Sequence, residues 1–162
     1  MSRFIFSFGI FFLIWLGFTS SFHYQEVIVG AFLSLILAFL SYKSFTERGL
    51  FYLNPKRLFY IIKYLAVFTI ALVKANFDVA RRVINPKLPI NPGIVTYHTS
   101  LKSDTAKMFL ANSITLTPGT LTVDVIDDKL YIHWIDVISE DPETIYNEIG
   151  KDFEEILKEI FR

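Results

Sequence analysis

Residues 4–22 read FIFSFGIFFLIWLGFTSSF, without a single charge. As an α-helix the run reaches about 28 Å, close to the roughly 30 Å hydrocarbon core of a bilayer, so a membrane span is its simplest fate. Arg3 before it and Thr19-Ser20-Ser21 at its end also fit a cleaved leader. Leader cores hold about 7–15 apolar residues, however, and a second apolar run follows almost at once, which favours a retained span.

That second run, residues 27–42, reads VIVGAFLSLILAFLSY and is again uncharged. It is short for a perpendicular span, but Phe22, Tyr24 and Tyr42 can sit in the interfacial layers. The connector 20–26 has no Lys or Arg, whereas the following loop carries Lys43, Arg48, Lys56 and Arg57. The positive-inside rule therefore predicts a helical hairpin with its short turn outside and residues 43–57 in the cytoplasm. Gly30, Ala31, Ser34 and Ala38 fall close to one face, a packing surface that lets helices approach closely.

A third run follows Pro55, which suits the first turn of a helix, and carries LFYIIKYLAVFTIALV over 58–73. At 100° per residue, Lys56, Lys63, Lys74 and Arg81 lie within about 20° of one another, with Tyr60 and Asp78 beside them. This helix, predicted over about 56–83, is basic at both ends, which a simple span cannot reconcile with one cytoplasmic end. Three placements compete. The helix lies in the interface with its lysines snorkelling to headgroups; it crosses while packing its stripe on a partner subunit; or Lys63 is an intramembrane ion or proton group. Lys63 and Asp78 are thus candidate ion-path residues, and Lys74, Arg81 and Arg82 candidate contacts to a partner subunit or membrane lipid.

Charge divides the chain. The first 97 residues hold ten of the sixteen Lys/Arg and three of the sixteen Asp/Glu; the remainder holds six and thirteen. The only part polar enough to fold in water is acidic, so no nucleic-acid partner is expected. The absence of Cys excludes disulfides, thiolate metal sites and cysteine nucleophiles.

Residues 85–93, NPKLPINPG, place three prolines in nine residues and predict an extended linker. Beyond it the periodicity changes. Residues 94–99 alternate as a strand; Ser103 can cap a short helix to about Ala111; residues 113–117 read as another short strand; Pro118-Gly119 is the central pair of a type II turn. Leu121, Val123 and Val125 then alternate with Thr120, Thr122 and Asp124. Asp127-Asp128-Lys129 turns the chain, and Leu130, Ile132 and Trp134 share a face on the return. Asp141 and Pro142 open a last helix whose seam is Ile145, Ile149, Phe153, Ile156, Leu157 and Ile160, its acidic residues forming a solvated face. The expected fold is an integral membrane α-helical N-terminal part of two to three hydrophobic helices (1–84), the linker 85–93, and a small α+β domain of order β-α-β-β-α (94–162). About 70 residues make a marginal core, so the domain should lean on the membrane half or on neighbours.

Catalytic chemistry finds no foothold in this pattern. His23, His98 and His133 are scattered, Asp127 and Asp128 sit in a hairpin tip, and no glycine-rich phosphate loop occurs. No cofactor and no enzymatic activity are expected.

Two stretches exceed composition. One is Ala75-Asn76-Phe77-Asp78-Val79-Ala80-Arg81-Arg82-Val83-Ile84, followed by the proline linker and Gly93-Ile94-Val95. The other is Asn112-Ser113-Ile114-Thr115-Leu116-Thr117-Pro118-Gly119-Thr120-Leu121-Thr122-Val123-Asp124, followed by Leu130-Tyr131-Ile132-His133-Trp134-Ile135-Asp136. Together with the N-terminal hydrophobic organisation they resemble the E subunit of Mrp-type multisubunit sodium/proton antiporters. The resemblance implies a small non-catalytic plasma-membrane subunit whose α+β domain is cytoplasmic. Its implied partners are complex I-like and small hydrophobic antiporter subunits. Similar subunits occur in archaeal membrane-bound hydrogenase and sulfur-reducing complexes, so hydrogenase-like partners are also implied. Within the family motif, Asn112, Ser113, Thr115, Thr117, Pro118, Gly119, Thr120, His133 and Asp136 are taken as structural, with turn chemistry and β-propensity accounting for the threonines. Cytoplasmic placement of the domain agrees with the charges if only the first two runs span and the third lies at or re-enters the interface, and this topology is expected.

Overall fold

The computed structural model describes residues 1–45 and 54–162. Arg48 and most of the basic loop lie outside the described residues. The chain forms two compact units, Met1–Leu58 and Phe59–Arg162.

The first unit is a hairpin of α1 (Ser2–Thr19) and α2 (Tyr24–Phe45). At 22 residues, α2 is longer than its apolar run, because Tyr24-Gln25-Glu26 and Lys43-Ser44-Phe45 add polar turns at its ends. Ser20 ends α1 in the left-handed region at φ 47°, and its N–H donates to the Leu16 carbonyl. The expected small-residue face is the contact: Gly30, Ser34 and Ala38, one turn apart, are buried, with Ser7 facing from α1. A Cβ on Gly30 would stand 2.1 Å from Trp15 Cδ1, so only glycine admits the indole there. The Trp15 indole N–H donates to the Glu26 carbonyl at 3.0 Å and ties the hairpin near its turn.

The second unit contains α3 (Pro55–Ile84) from Phe59 onward, β1 (Gly93–His98), α4 (Asp104–Leu116), β2 (Thr120–Ile126) and β3 (Lys129–Trp134). It closes with α5 (Pro142–Ile145), a wide π-type turn over Tyr146–Gly150 and α6 (Lys151–Phe161). The sheet is antiparallel in the order β1-β3-β2, with Val95 opposite Ile132 and Tyr97 opposite Leu130. α4, α5 and α6 cover one face. Val95, Tyr97, Leu130 and Ile132 from the sheet meet Leu110 and Ile114 from α4 and the whole predicted seam from Ile145 to Ile160. Asp141 caps the last helix by accepting from Thr144 N–H, and Ser103 caps α4 by accepting from Ala106 N–H. The domain leans on α3, as its small size requires. Tyr64 belongs to the core, and Tyr60, Ile61, Val67, Phe68 and Ala71 pack against it.

Four readings are corrected. Residues 113–116 are helical, not a strand: α4 runs on to Leu116 because Ser113 and Ile114 are buried on its inner side. β2 does not alternate regularly. A bulge between Thr122 and Asp124 sends Leu121 to the outer face, opposite His133, and Val125 to the inner face, opposite Leu130. The segment after α3 is not extended throughout, since it turns at Asn85-Pro86-Lys87 before Asn91 bridges to Asp136. Finally, the acidic side of the last helix is not all solvated, because Glu154 is fully buried.

Candidate functional site

The two sequence stretches that stand out from composition meet in space. Near the C-terminal end of α3, Arg82 Nε donates to Asp78 Oδ2 at 2.7 Å across one helical turn. Its Nη1 reaches Asp136 Oδ2 at 2.6 Å, 54 residues away just beyond β3, and the Pro89 carbonyl at 2.8 Å. One guanidinium thus joins α3, the proline segment and the strand exit, using the planar donor set that lysine lacks.

Beside this fork lies the turn between α4 and β2. Thr120 N–H donates to the Thr117 carbonyl at 3.3 Å, closing the turn predicted at Pro118-Gly119. Gly119 sits at φ +97°, a conformation costly for any side chain. Its carbonyl accepts from Ile135 N–H at 2.8 Å. A Cβ here would lie 3.1 Å from Ile135 and 3.6 Å from Val79 of α3, so the turn is a close approach as well as a bend. The threonine hydroxyls are used inward. Thr117 donates to the Ser113 carbonyl at 2.8 Å, and Thr120 to the Ile114 carbonyl at 2.7 Å. Thr122 donates to the Ala111 carbonyl at 3.1 Å, and Thr115 accepts from Thr122 N–H at 3.1 Å. Together they lace the end of α4 to β2. Asp78, Arg82, Gly119, Asp136, Ile138 and Glu148 are among the residues lining a shallow cleft of about 320 Å³.

A second junction lies farther back along α3. The Tyr64 hydroxyl shares a short hydrogen bond with Ser113, which also donates to the Phe109 carbonyl at 2.8 Å. The Tyr64 ring meets Phe109 and Phe153 edge-on.

The other candidates are distributed differently. Lys63, Lys74 and Arg81 are exposed on α3, Asn112 is exposed on α4, and His133 is half-buried on the outer sheet face. Lys63 and Asp78 are not brought together; they lie about 22 Å apart along the helix. Asp78 is instead engaged by Arg82. Among the described residues, no group of three or more His, Asp or Glu has the geometry for a metal ion.

Sequence reasoning missed the buried Glu154. Its carboxylate accepts from Tyr97 Oη and Thr99 Oγ1 at 2.9 Å, and from Ser100 N–H at 3.0 Å and Oγ at 2.6 Å. Lys158 approaches it at 3.1 Å. Burial alone would raise the acid's pKa, but the hydrogen bonds from Ser100, Thr99 and Tyr97 outweigh burial and hold it below the ordinary range. The same burial, with the neighbouring carboxylate, pushes the Tyr97 phenol far upward. The available signal was positional: Glu154 lies between Gly150 and Leu157 on the helix, immediately flanking the apolar seam.

The family described as MNHE, Na+/H+ ion antiporter subunit, matches residues 8–160. The chain belongs to this family. It is 38% identical over 148 residues to Na(+)/H(+) antiporter subunit E1 from Staphylococcus aureus strains RF122 and Newman, an overlap covering 90% of this chain and 89% of each relative. Among solved structures, a chain of the membrane-bound sulfane sulfur reductase, an archaeal respiratory membrane complex, is 50% identical. It superposes with a TM-score of 0.89 over 99% of this chain and 100% of its own. Three apolar helices long enough to cross a bilayer make this MNHE chain a membrane protein. The Arg82 fork and the TPG turn are therefore the points where the stretches that first suggested the family come into contact.

Proposed function

We propose that this chain is a non-catalytic structural and assembly subunit of a membrane Na+/H+ antiporter module, surrounded by complex I-like and small hydrophobic subunits, with its α+β domain in the cytoplasm. The observation that carries the reading is the inward use of the motif: Arg82, Asp136, the TPG turn and the neighbouring threonines hold one rigid junction between α3 and the domain. Such a junction fixes a surface for neighbours. A direct transport element would instead require Lys63 or Asp78 to carry an ion or proton.

Lys63→Gln, Asp78→Asn and Arg82→Gln variants of the intact complex separate the two, with assembly followed on native gels and antiport measured in everted vesicles. For a scaffold, Lys63→Gln leaves both readouts little changed, and Arg82→Gln lowers them together. Normal assembly with antiport reduced about tenfold or more in Lys63→Gln or Asp78→Asn overturns the scaffold reading.

A second reading places the same scaffold in a redox-linked complex, favoured by the 50% identity to a chain of the sulfane sulfur reductase. Mass spectrometry of the purified wild-type complex decides this. Hydrogenase-like and iron–sulfur subunits alongside the antiporter subunits establish the redox-linked assembly; antiporter subunits alone establish a stand-alone exchanger.

A further inference from the structure

α3 has three differently employed sides. The first meets the domain: Tyr60, Ile61, Tyr64, Val67, Phe68 and Ala71 pack on its core, Val79 approaches Gly119, and Arg82 bonds Asp136. The opposite side carries Phe59, Ile62, Ile70, Val73 and Phe77, all exposed, with Phe77 reaching 74%. About a quarter turn from both lies a flank with Lys63, Lys74 and Arg81, each exposed.

The domain covers α3 from Tyr60 to Arg82, a length of about 33 Å at 1.5 Å per residue. That equals the whole hydrocarbon thickness of a bilayer. If α3 crossed, this domain would sit at hydrocarbon depth, with β1 and β2 presenting open sheet edges to lipid. Its thirteen acidic residues beyond position 97 would have to share that environment. The rule that only helices and closed barrels meet lipid forbids the arrangement. A fully aqueous α3 is equally unsuitable, because its outer apolar face is continuous over five turns. The charge pattern selects among surfaces that could cover that face. Basic side chains along one edge, with no acidic residue on the outer face, match anionic headgroups beside an acyl layer.

We propose that α3 lies along the membrane surface rather than across it. The Phe59, Ile62, Val73 and Phe77 side is set into the headgroup–acyl boundary, Lys63, Lys74 and Arg81 engage anionic lipid headgroups, and the α+β domain rides on the opposite side. α3 is then a membrane-docking plate, and only α1 and α2 span. This assignment holds for a stand-alone exchanger and a redox-linked complex alike.

Because the chain has no Cys, single cysteines at Ile62, Val73, Phe77, Lys63 and Lys74 each place one nitroxide on a known side of α3. The complex is reconstituted in vesicles of zwitterionic and anionic phospholipid, with signal from the cysteine-free chain subtracted. Depth is measured by spin relaxation with oxygen and with a water-soluble nickel chelate. A surface helix gives one shallow depth for Ile62, Val73 and Phe77, about 5–10 Å below the headgroups, with chelate access at Lys63 and Lys74. A depth that rises toward the middle of the helix and falls again establishes crossing and overturns the proposal. Labels at Ile62, Val73 and Phe77 shielded from both relaxers show that a neighbouring subunit covers the face, which also overturns it. Should a labelled variant fail to assemble, the unmodified complex is cross-linked with photoactivatable lipids reactive either near the glycerol or at the chain end. Glycerol-level adducts along the length of α3 support the proposal; chain-end adducts at its centre, or no adducts on α3, refute it.

Discussion

Glu154 shows how one residue can reverse the reading of a surface. On a helical wheel it belongs to an acidic, solvated side, yet three hydroxyls and one backbone N–H converge on its carboxylate. Those donors come from Tyr97, Thr99 and Ser100, more than fifty residues earlier, so nothing local announces them. Local chemistry was far more legible: Ser103 and Asp141 are caps by composition alone, and both cap as expected. Because the folded-state pKa of Glu154 is depressed, its contribution to stability is complete above the unfolded carboxylate value near 4.3 and is lost as pH falls through the lower folded value. The domain should therefore weaken progressively below about pH 4, with a smaller slope there in Glu154→Gln. At neutral pH the same substitution faces an amide NH2 toward groups that are themselves donors, and should cost about 2–3 kcal/mol. Urea unfolding of the full chain in detergent, followed by Trp134 fluorescence in a Trp15→Phe background, measures both effects. A Glu154→Gln midpoint equal to wild type at pH 7 would contradict the account of this network.

At the scale of elements, the hairpin of α1 and α2 was the most legible part, because its pairing is local and its contact face is written in small residues. Gly30 is the tightest point of that face. Gly30→Ala must displace the Trp15 indole, straining the hairpin by about 1–3 kcal/mol. The expected result is a lower melting temperature for the assembled complex, partly restored when Trp15→Leu is added; an unchanged melting temperature would show that the indole swings aside freely. The α4–β2 connection was less legible. Ile114, Thr115 and Thr117 have the β-branched character of a strand, but burial of Ser113 and Ile114, and the bond from Ser113 to Tyr64, keep the segment helical. Tertiary contact overrode propensity here. The bulge in β2 escaped for a related reason, since a regular alternation in sequence carries no mark of the one residue that will be skipped.

For the molecule as a whole, the division at Leu58 and Phe59 matters more than the change from apolar to polar sequence near residue 85. Hydropathy groups α3 with the membrane helices; packing gives it to the domain. The Arg82–Asp136 pair, 54 residues apart, is the reason a sequence reading could recognise both motifs without seeing that they touch. If α3 is integral to the domain fold, Tyr64→Ala, which empties a ring packed on Phe109 and Phe153, should lower domain stability by about 2–4 kcal/mol. Trp134 fluorescence in the same Trp15→Phe background reports this, and a shift smaller than about 0.5 kcal/mol would mean that α3 is only an attachment.

The order in which these parts leave the ribosome gives the shared core a further meaning. α3 is synthesised before any of the residues that cover its inner side, and Phe153, which meets Tyr64 and Phe68, follows only with α6. During that interval α3 is apolar on two sides, and the insertion machinery meets a helix with every compositional mark of a span. If α3 lies along the membrane surface as proposed, the final fold depends on keeping it from crossing the bilayer until α6 arrives. Nascent chains halted before residue 142 should insert a helix that the finished protein keeps for its domain.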